Sequence, residues 1–157
     1  MAQTTSITTT FINELITEIG AIEFTDSGTL SSLSLIFGFD KSEQQAPNTD
    51  VFIYEDEPPI RSDRLDANVN LESFNFICRI RSLKIDGKEE QSDEDVRYLR
   101  EKIIEKLEDN YNNAVWATYS GYLDNNTILT DQKTFNENYA IQKIRFTIKR
   151  RRTTSTC

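Results

Sequence analysis

Carboxylates are the side chains in this sequence best placed to do chemistry, and they occur in groups. Glu55, Asp56 and Glu57 are consecutive, and Asp63 and Asp66 follow shortly after. Paired carboxylates can divide acid and base roles when their surroundings push their pKa values apart. Asp86, Glu89, Glu90 and Asp93 offer oxygen ligands of the kind a hard cation prefers, but a calcium loop needs acids at alternate positions before a glycine, and this spacing does not match. There is no histidine, so the usual base, proton shuttle and metal ligand is missing. The two cysteines, Cys78 and Cys157, form no CxxC or CxxH spacing, which excludes a zinc site or a disulfide framework. The preferred reading of the acidic groups is a solvated loop. No catalytic, cofactor-binding or metal-binding residue is assigned, no cofactor is expected, and the chain is read as a non-enzyme.

A second charged feature is the run Lys149-Arg150-Arg151-Arg152. Four consecutive cations can contact phosphate. They can also meet an acidic patch on another copy of the chain, or simply end a strand in water. The chain as a whole carries 26 acidic against 18 basic residues, a net charge of −8. Such a balance argues against a nucleic-acid footprint over the whole surface. It is compatible with a wall beside DNA that repels the duplex.

The elements that must position these groups can be read from periodicity. Phe11, Ile12, Leu15, Ile16 and Ile19 recur at helical spacing and predict a helix over about 9–22, capped by Thr8, Thr9 or Thr10 and ending near Gly20. Leu33 to Phe39 alternates as a strand does, and 40–50 reads as a loop. Val51 to Tyr54 is a short strand that Pro58-Pro59 should stop. Residues 58–71, holding Arg61 and Arg64, read as an extended or mobile loop.

The stretch 72–85 is the clearest strand. Phe74, Phe76, Cys78 and Ile80 alternate with Asn75, Ile77, Arg79 and Arg81, a second face expected to be partly wet or to meet a partner. Asp86-Gly87 turns the chain into a helix capped near Ser92, whose Val96, Leu99, Ile103, Leu107 and Tyr111 form the buried stripe. Asn112-Asn113 is a left-handed stop. Val115–Leu123 reads as a strand, 124–126 as a turn, 127–138 as irregular, and Tyr139–Arg150 as the last strand, with Ile144, Phe146 and Ile148 on one face.

These elements make an α+β chain: a mixed or antiparallel β-sheet packed by an N-terminal helix and a longer central amphipathic helix. At 157 residues it is most simply one domain over 9–150, with flexible tails at 1–8 and 151–157. Met1 to Thr10 lacks a basic start followed by an apolar stretch, so no secretory signal or membrane contact is expected. A buried thiol at Cys78 fits a reducing, intracellular setting. The acceptor-like Asn125-Asn126-Thr127 is then a chance match.

The order of helix, short strand, long alternating strand, amphipathic helix and terminal strands resembles the tail-terminator, or tail-completion, proteins of long-tailed bacteriophages. Phe11–Ile19, Val51–Tyr54, Phe74–Ile85, Val96–Tyr111 and Ile141–Ile148 carry the resemblance. The stretch Phe24–Asp50 is longer than that pattern expects. The resemblance implies a virion protein, made in the host cytoplasm, that assembles with itself as a ring, usually a hexamer. The ring sits on the head-proximal end of the tail tube, stops tube growth and meets a neck or connector protein. DNA passes through it without specific binding. A head–tail joining adaptor or a tail-tube protein is the alternative, with a carboxylate- or metal-dependent enzyme or a host-directed binding module further off. A closed ring needs two complementary surfaces per subunit. The implied interface residues are Glu55, Asp56, Glu57, Arg61 and Arg64 on one side and Arg150, Arg151 and Arg152 on the other.

Overall fold

A computed structural model describes residues 5–24, 28–29, 36–37, 49–83, 89–111, 113–131, 134–135 and 139–153. The helices are α1 (Ile7–Gly20), α2 (Glu89–Asp109) and the short α3 (Ala114–Thr118). The strands are β1 (Glu23–Phe24), β2 (Gly28–Thr29), β3 (Ile36–Phe37), β4 (Thr49–Asp66), β5 (Val69–Leu83), β6 (Gly121–Thr130), β7 (Thr134–Phe135) and β8 (Tyr139–Thr153). The class is α+β. The main sheet has the order β3-β4-β5-β8-β6, with β7 also on β8, and β1 and β2 form a separate small ladder. β3 runs parallel to β4, and every other pairing in the main sheet is antiparallel. The proposed strand over 33–39 is described only at Ile36–Phe37, and the 40–48 and Asp86-Gly87 connections lie outside the described residues.

β5 and β8 pair in unbroken register from Val69↔Thr153 to Leu83↔Tyr139. Their alternation places Phe76, Cys78, Ile80, Ile144, Phe146 and Ile148 on the face that the helices cover. From the helices come Phe11, Leu15 and Ile19 of α1, Val96, Leu99, Ile103 and Leu107 of α2, and Trp116 of α3. Phe11 is the hinge of this packing. Its ring meets Phe74 and Trp116 edge-on, both at 5.3 Å between centroids. Edge-to-face geometry adds to the area that these rings bury.

Several sequence expectations need correction. β4 does not stop at Pro58-Pro59, and 58–71 is not a loop: β4 continues to Asp66, turns at Ala67-Asn68 and returns as β5. The prolines are accommodated because the ladder skips from Glu55↔Phe76 to Ile60↔Phe74, a bulge in which no proline needs to donate. Asn75 Nδ2 donates to the Pro58 carbonyl at 2.9 Å in place of a ladder bond. The C-terminal tail is shorter than expected, since Arg151–Thr153 still belong to β8.

The helices also shift. Ser6, not a threonine, caps α1, accepting from Thr9 N. Ser92 lies inside α2, where its hydroxyl donates to the Leu83 carbonyl at 2.6 Å and pins the helix to the end of β5. Tyr111 falls beyond α2 and is exposed. Asn113 has φ −55°, not a left-handed angle, and caps α3 by accepting from Val115 N. The Val115–Leu123 segment is therefore helix first and strand second. Trp116 at its centre is held by an Nε1–H bond to the Asn110 carbonyl at 2.9 Å, which favours burying the indole against α1 over extending it. Strand structure then includes 127–130 and Thr134–Phe135, where irregular chain was expected.

Ser120, between α3 and β6, has φ +57°. That region costs a side chain about 1–2 kcal/mol. A Cβ on the next residue, Gly121, would lie 3.2 Å from the Trp116 carbonyl and 3.3 Å from that of Lys149, both fixed backbone atoms. The two neighbours should respond with opposite signs. Ser120→Gly is expected to stabilise by about 0.5–1 kcal/mol, after the larger unfolded-state entropy of glycine is subtracted. Gly121→Ala is expected to destabilise by about 1–3 kcal/mol. Urea unfolding of both variants checks this, and a loss of stability in Ser120→Gly would contradict it.

The Cys78 thiol is fully buried, and burial pushes its pKa up to about 12 from an ordinary 9.0. A raised folded-state pKa means stability that is whole below pH 9 and drains away as pH rises from about 9 towards 12, because only the unfolded chain ionises there. In a Cys157→Ser background, the native protein should resist a thiol reagent at pH 8 until denaturant is added. Rapid labelling without denaturant would show that Cys78 is reachable.

Candidate functional site

Beyond the helix-covered region the sheet continues as an arm of three strands. It consists of the end of β4, the start of β5 and the end of β8, in the register Asp63↔Leu71↔Arg151 and Arg64↔Asn70↔Arg152. Of the charges the sequence nominated, Arg61, Arg64 and Arg150–Arg152 lie on this arm; Glu55–Glu57 precede it on β4, with Glu55 level with Phe76 in the helix-covered part, and Glu89, Glu90 and Asp93 are on α2. Glu55, Glu57, Arg61, Arg64, Arg151 and Arg152 are exposed. Arg61 pairs with Asp63 at 3.2 Å, a contact of two solvated groups that contributes little. Arg150 and Arg152 both approach Glu72, at 3.8 and 3.4 Å. The basic end is thus partly neutralised within its own chain, by a glutamate that has no place among the acidic runs of the sequence.

Asp56 is not part of a loop cluster. Arg145 of β8 donates to both of its oxygens through Nη1, at 2.7 and 2.8 Å, and to both oxygens of Asp131 through Nε, at 3.2 Å each. One guanidinium therefore ties β4 to the segment after β6, with β5 lying between in the sheet order. The hydrogen bond to Asp56, then that to Asp131, holds Arg145 further above its already high pKa. Lys149 is likewise raised by its hydrogen bond to Asp124, at 2.9 Å.

The face of the sheet opposite the helices was expected to be partly wet or to meet a partner. Its middle is buried: Phe52, Ile77, Arg79 and Arg81 are all shielded from solvent. Arg81 makes two bonds to Asp50, its cross-strand partner, at 3.2 and 2.6 Å. The Arg81 guanidinium also stands 4.5 Å from the Tyr139 ring centre, and Arg79 stands 4.3 Å from that of Phe52. Arginine tolerates such a place because its flat, weakly hydrated head stacks on rings while its edge donates.

The structure brings Asp56 to Arg145 and Arg150 and Arg152 to Glu72; it does not bring Glu55–Glu57 to Arg150–Arg152. Sequence reasoning missed Asp50, Glu72, Asp124 and Asp131 as partners. Arg145 and Arg81 were visible as basic members of alternating strands. Their partners were not, since Asp56 is 89 residues from Arg145 along the chain. Among the described residues no group of three or more histidine, cysteine or acidic side chains could hold a metal ion. No described helix is long and apolar enough to cross a membrane. An open recess of about 290 Å³ beside α2, lined by Ile22, Tyr98, Lys102 and Asp109 among others, mixes both signs of charge. Chemically, the arm is suited to docking against a surface with matching charges. No protein-family model and no curated protein matches the sequence.

The Asp50–Arg81 pair gives a direct test of the outer face. Both side chains are almost fully buried, so Asp50→Ala leaves a desolvated cation without its carboxylate. The expected loss is about 3–5 kcal/mol in urea unfolding. A loss below about 1 kcal/mol would mean that the carboxylate is not what compensates Arg81.

Proposed function

We propose that this chain is a structural, non-enzymatic virion subunit: a tail terminator that forms a ring on the head-proximal end of a phage tail tube. The ring would stop tube growth, offer its other face to a neck or connector protein, and let DNA pass without binding it. The observation that carries this reading is the charged three-strand arm, which extends the sheet past its helical cover and leaves charged strand surface in water. The order of elements resembles that family over most of residues 11–150, and the net charge of −8 suits a channel wall that DNA must not stick to.

The size of the purified protein over a range of concentrations, by native mass spectrometry with negative-stain images, tests the proposal. Closed rings are expected. Long tubes would replace it with a tail-tube role, and a monomer at the highest concentration would overturn it. Arg151→Glu reverses an exposed charge at the tip of the arm and should shift the ring to higher protein concentration without altering the thermal melt. Reversal at Arg150 is a poorer probe, because it also breaks the contact with Glu72.

A further inference from the structure

The arm is opposite in sign to the chain that carries it. Arg61, Arg64, Arg150, Arg151 and Arg152 stand on it against Asp63, Asp66 and Glu72, an excess of cations in a chain of net charge −8. Its two faces are unequal. Residues opposite one another in the ladders share a face, so Ile60, Phe74 and Ile148 continue the side that the helices cover. Past them on that side come Ser62, Glu72 and Arg150, then Arg64, Asn70 and Arg152. Three arginines there meet one glutamate. Arg64 and Arg152 are exposed, and Ile60 beside them is 45% exposed.

The surface that answers this face in charge is on α2. Glu90, Glu94, Arg97, Glu101, Glu105 and Glu108 are all exposed and follow one another at intervals of three or four residues. They form one straight ridge of about five turns, roughly 27 Å long. Arg97 is held by Asp93 and Glu94, so the ridge offers glutamate to its surroundings. The buried stripe of Val96, Leu99, Ile103 and Leu107 lies on the other side of the helix. The ridge therefore points away from the sheet, and the arm, which continues that sheet, cannot reach it within one chain.

Sign, length and apolar content all match. Ile60–Asp66 spans about 20 Å of strand, which fits along the ridge. Each surface also carries an apolar side chain in water beside its charges: Ile60 on the arm, and Tyr111, 43% exposed, just past the end of α2. A single exposed ion pair contributes little, but opposed rows of charge fix register and exclude wrong partners. DNA would answer the arginines too, yet it would be repelled by the acidic remainder of the chain. A second copy brings the acid without that conflict.

We propose that the helix-side face of the arm docks on the α2 ridge of a second copy of this chain, with Arg64 and Arg152 of one copy against Glu101 and Glu108 of the next. This rests on the ring reading above and gives that ring its joint. Each copy lends its arm to one neighbour and its α2 to the other, a heterologous contact of the kind that can close.

Charge reversal tests the contact from both sides. The arm variant is Arg64→Glu with Arg152→Glu, and the ridge variant is Glu101→Lys with Glu108→Lys. All four sites are exposed, so the thermal melt of each variant should match the unaltered protein. Arg64→Glu alone and Glu101→Lys alone replace a variant whose melt shows it unfolded. In native mass spectrometry each variant by itself should need about tenfold more protein to assemble, because like charges then face each other. An equimolar mixture should regain rings at the unaltered protein's concentration, with the two variants alternating, since every joint again pairs opposite signs. Rings from either variant alone at that concentration, or a mixture that gains nothing over its components, overturn the docking and leave the ring reading standing. A labelled DNA duplex retained by the unaltered protein and lost by the arm variant, with rings unaffected, would give the arm to nucleic acid and also overturn the docking. Failure of the unaltered protein to form any ring overturns that reading and this inference with it.

Discussion

The structure depends on the ladder between β5 and β8. It runs without a bulge from Val69 to Leu83, and its period of two decides which side chains lie under the helices. A slip of one residue would exchange Phe76, Cys78 and Ile80 for Ile77, Arg79 and Arg81. Two guanidinium groups would then lie against Leu99 and Ile103. No helix packed on that surface could supply their charge partners, so the register is strongly specified. The same ladder continues past the helices, and the arm exists because the pairing outlasts the cover.

Charge pairing does the work on the other face that apolar packing does on the first. Asp50 and Arg81 are cross-strand neighbours, so their pairing is built into the β4–β5 register. Arg145 reaches further, joining Asp56 on one outer strand to Asp131 beside the other. Lys149 with Asp124 links β8 to β6 on this same face, while Arg150 with Glu72 links β8 to β5 on the helix-facing side, past the helices. The cations of β8 are thus largely engaged within the sheet. Arg151 and Arg152 are both exposed at the tip, with Arg152 3.4 Å from Glu72.

Among the described residues, β4 beyond its pairing with β3 has no strand on its outer side, and such an edge must be blunted, paired or closed. Here Pro58-Pro59 and the alternating charges of 61–66 blunt β4 in part.

The class of fold was legible in the sequence. The helical spacing of Phe11 to Ile19 and of Val96 to Leu107, and the alternation of Phe74 to Ile80 and of Ile144 to Ile148, each state a local period that packing on one core then uses. Where packing overruled local signals, the sequence misled. Pro58-Pro59 read as an end, but a bulge and the amide of Asn75 let the strand resume. The aromatic run around Trp116 read as a strand, yet the indole is buried as part of a short helix against Phe11. The nominated charges were found, but not their partners. Periodicity reports the neighbours of a residue along one element, whereas Arg145 with Asp56, Arg81 with Asp50 and Arg150 with Glu72 are contacts between strands distant in the chain, which only the tertiary pairing of those strands could create.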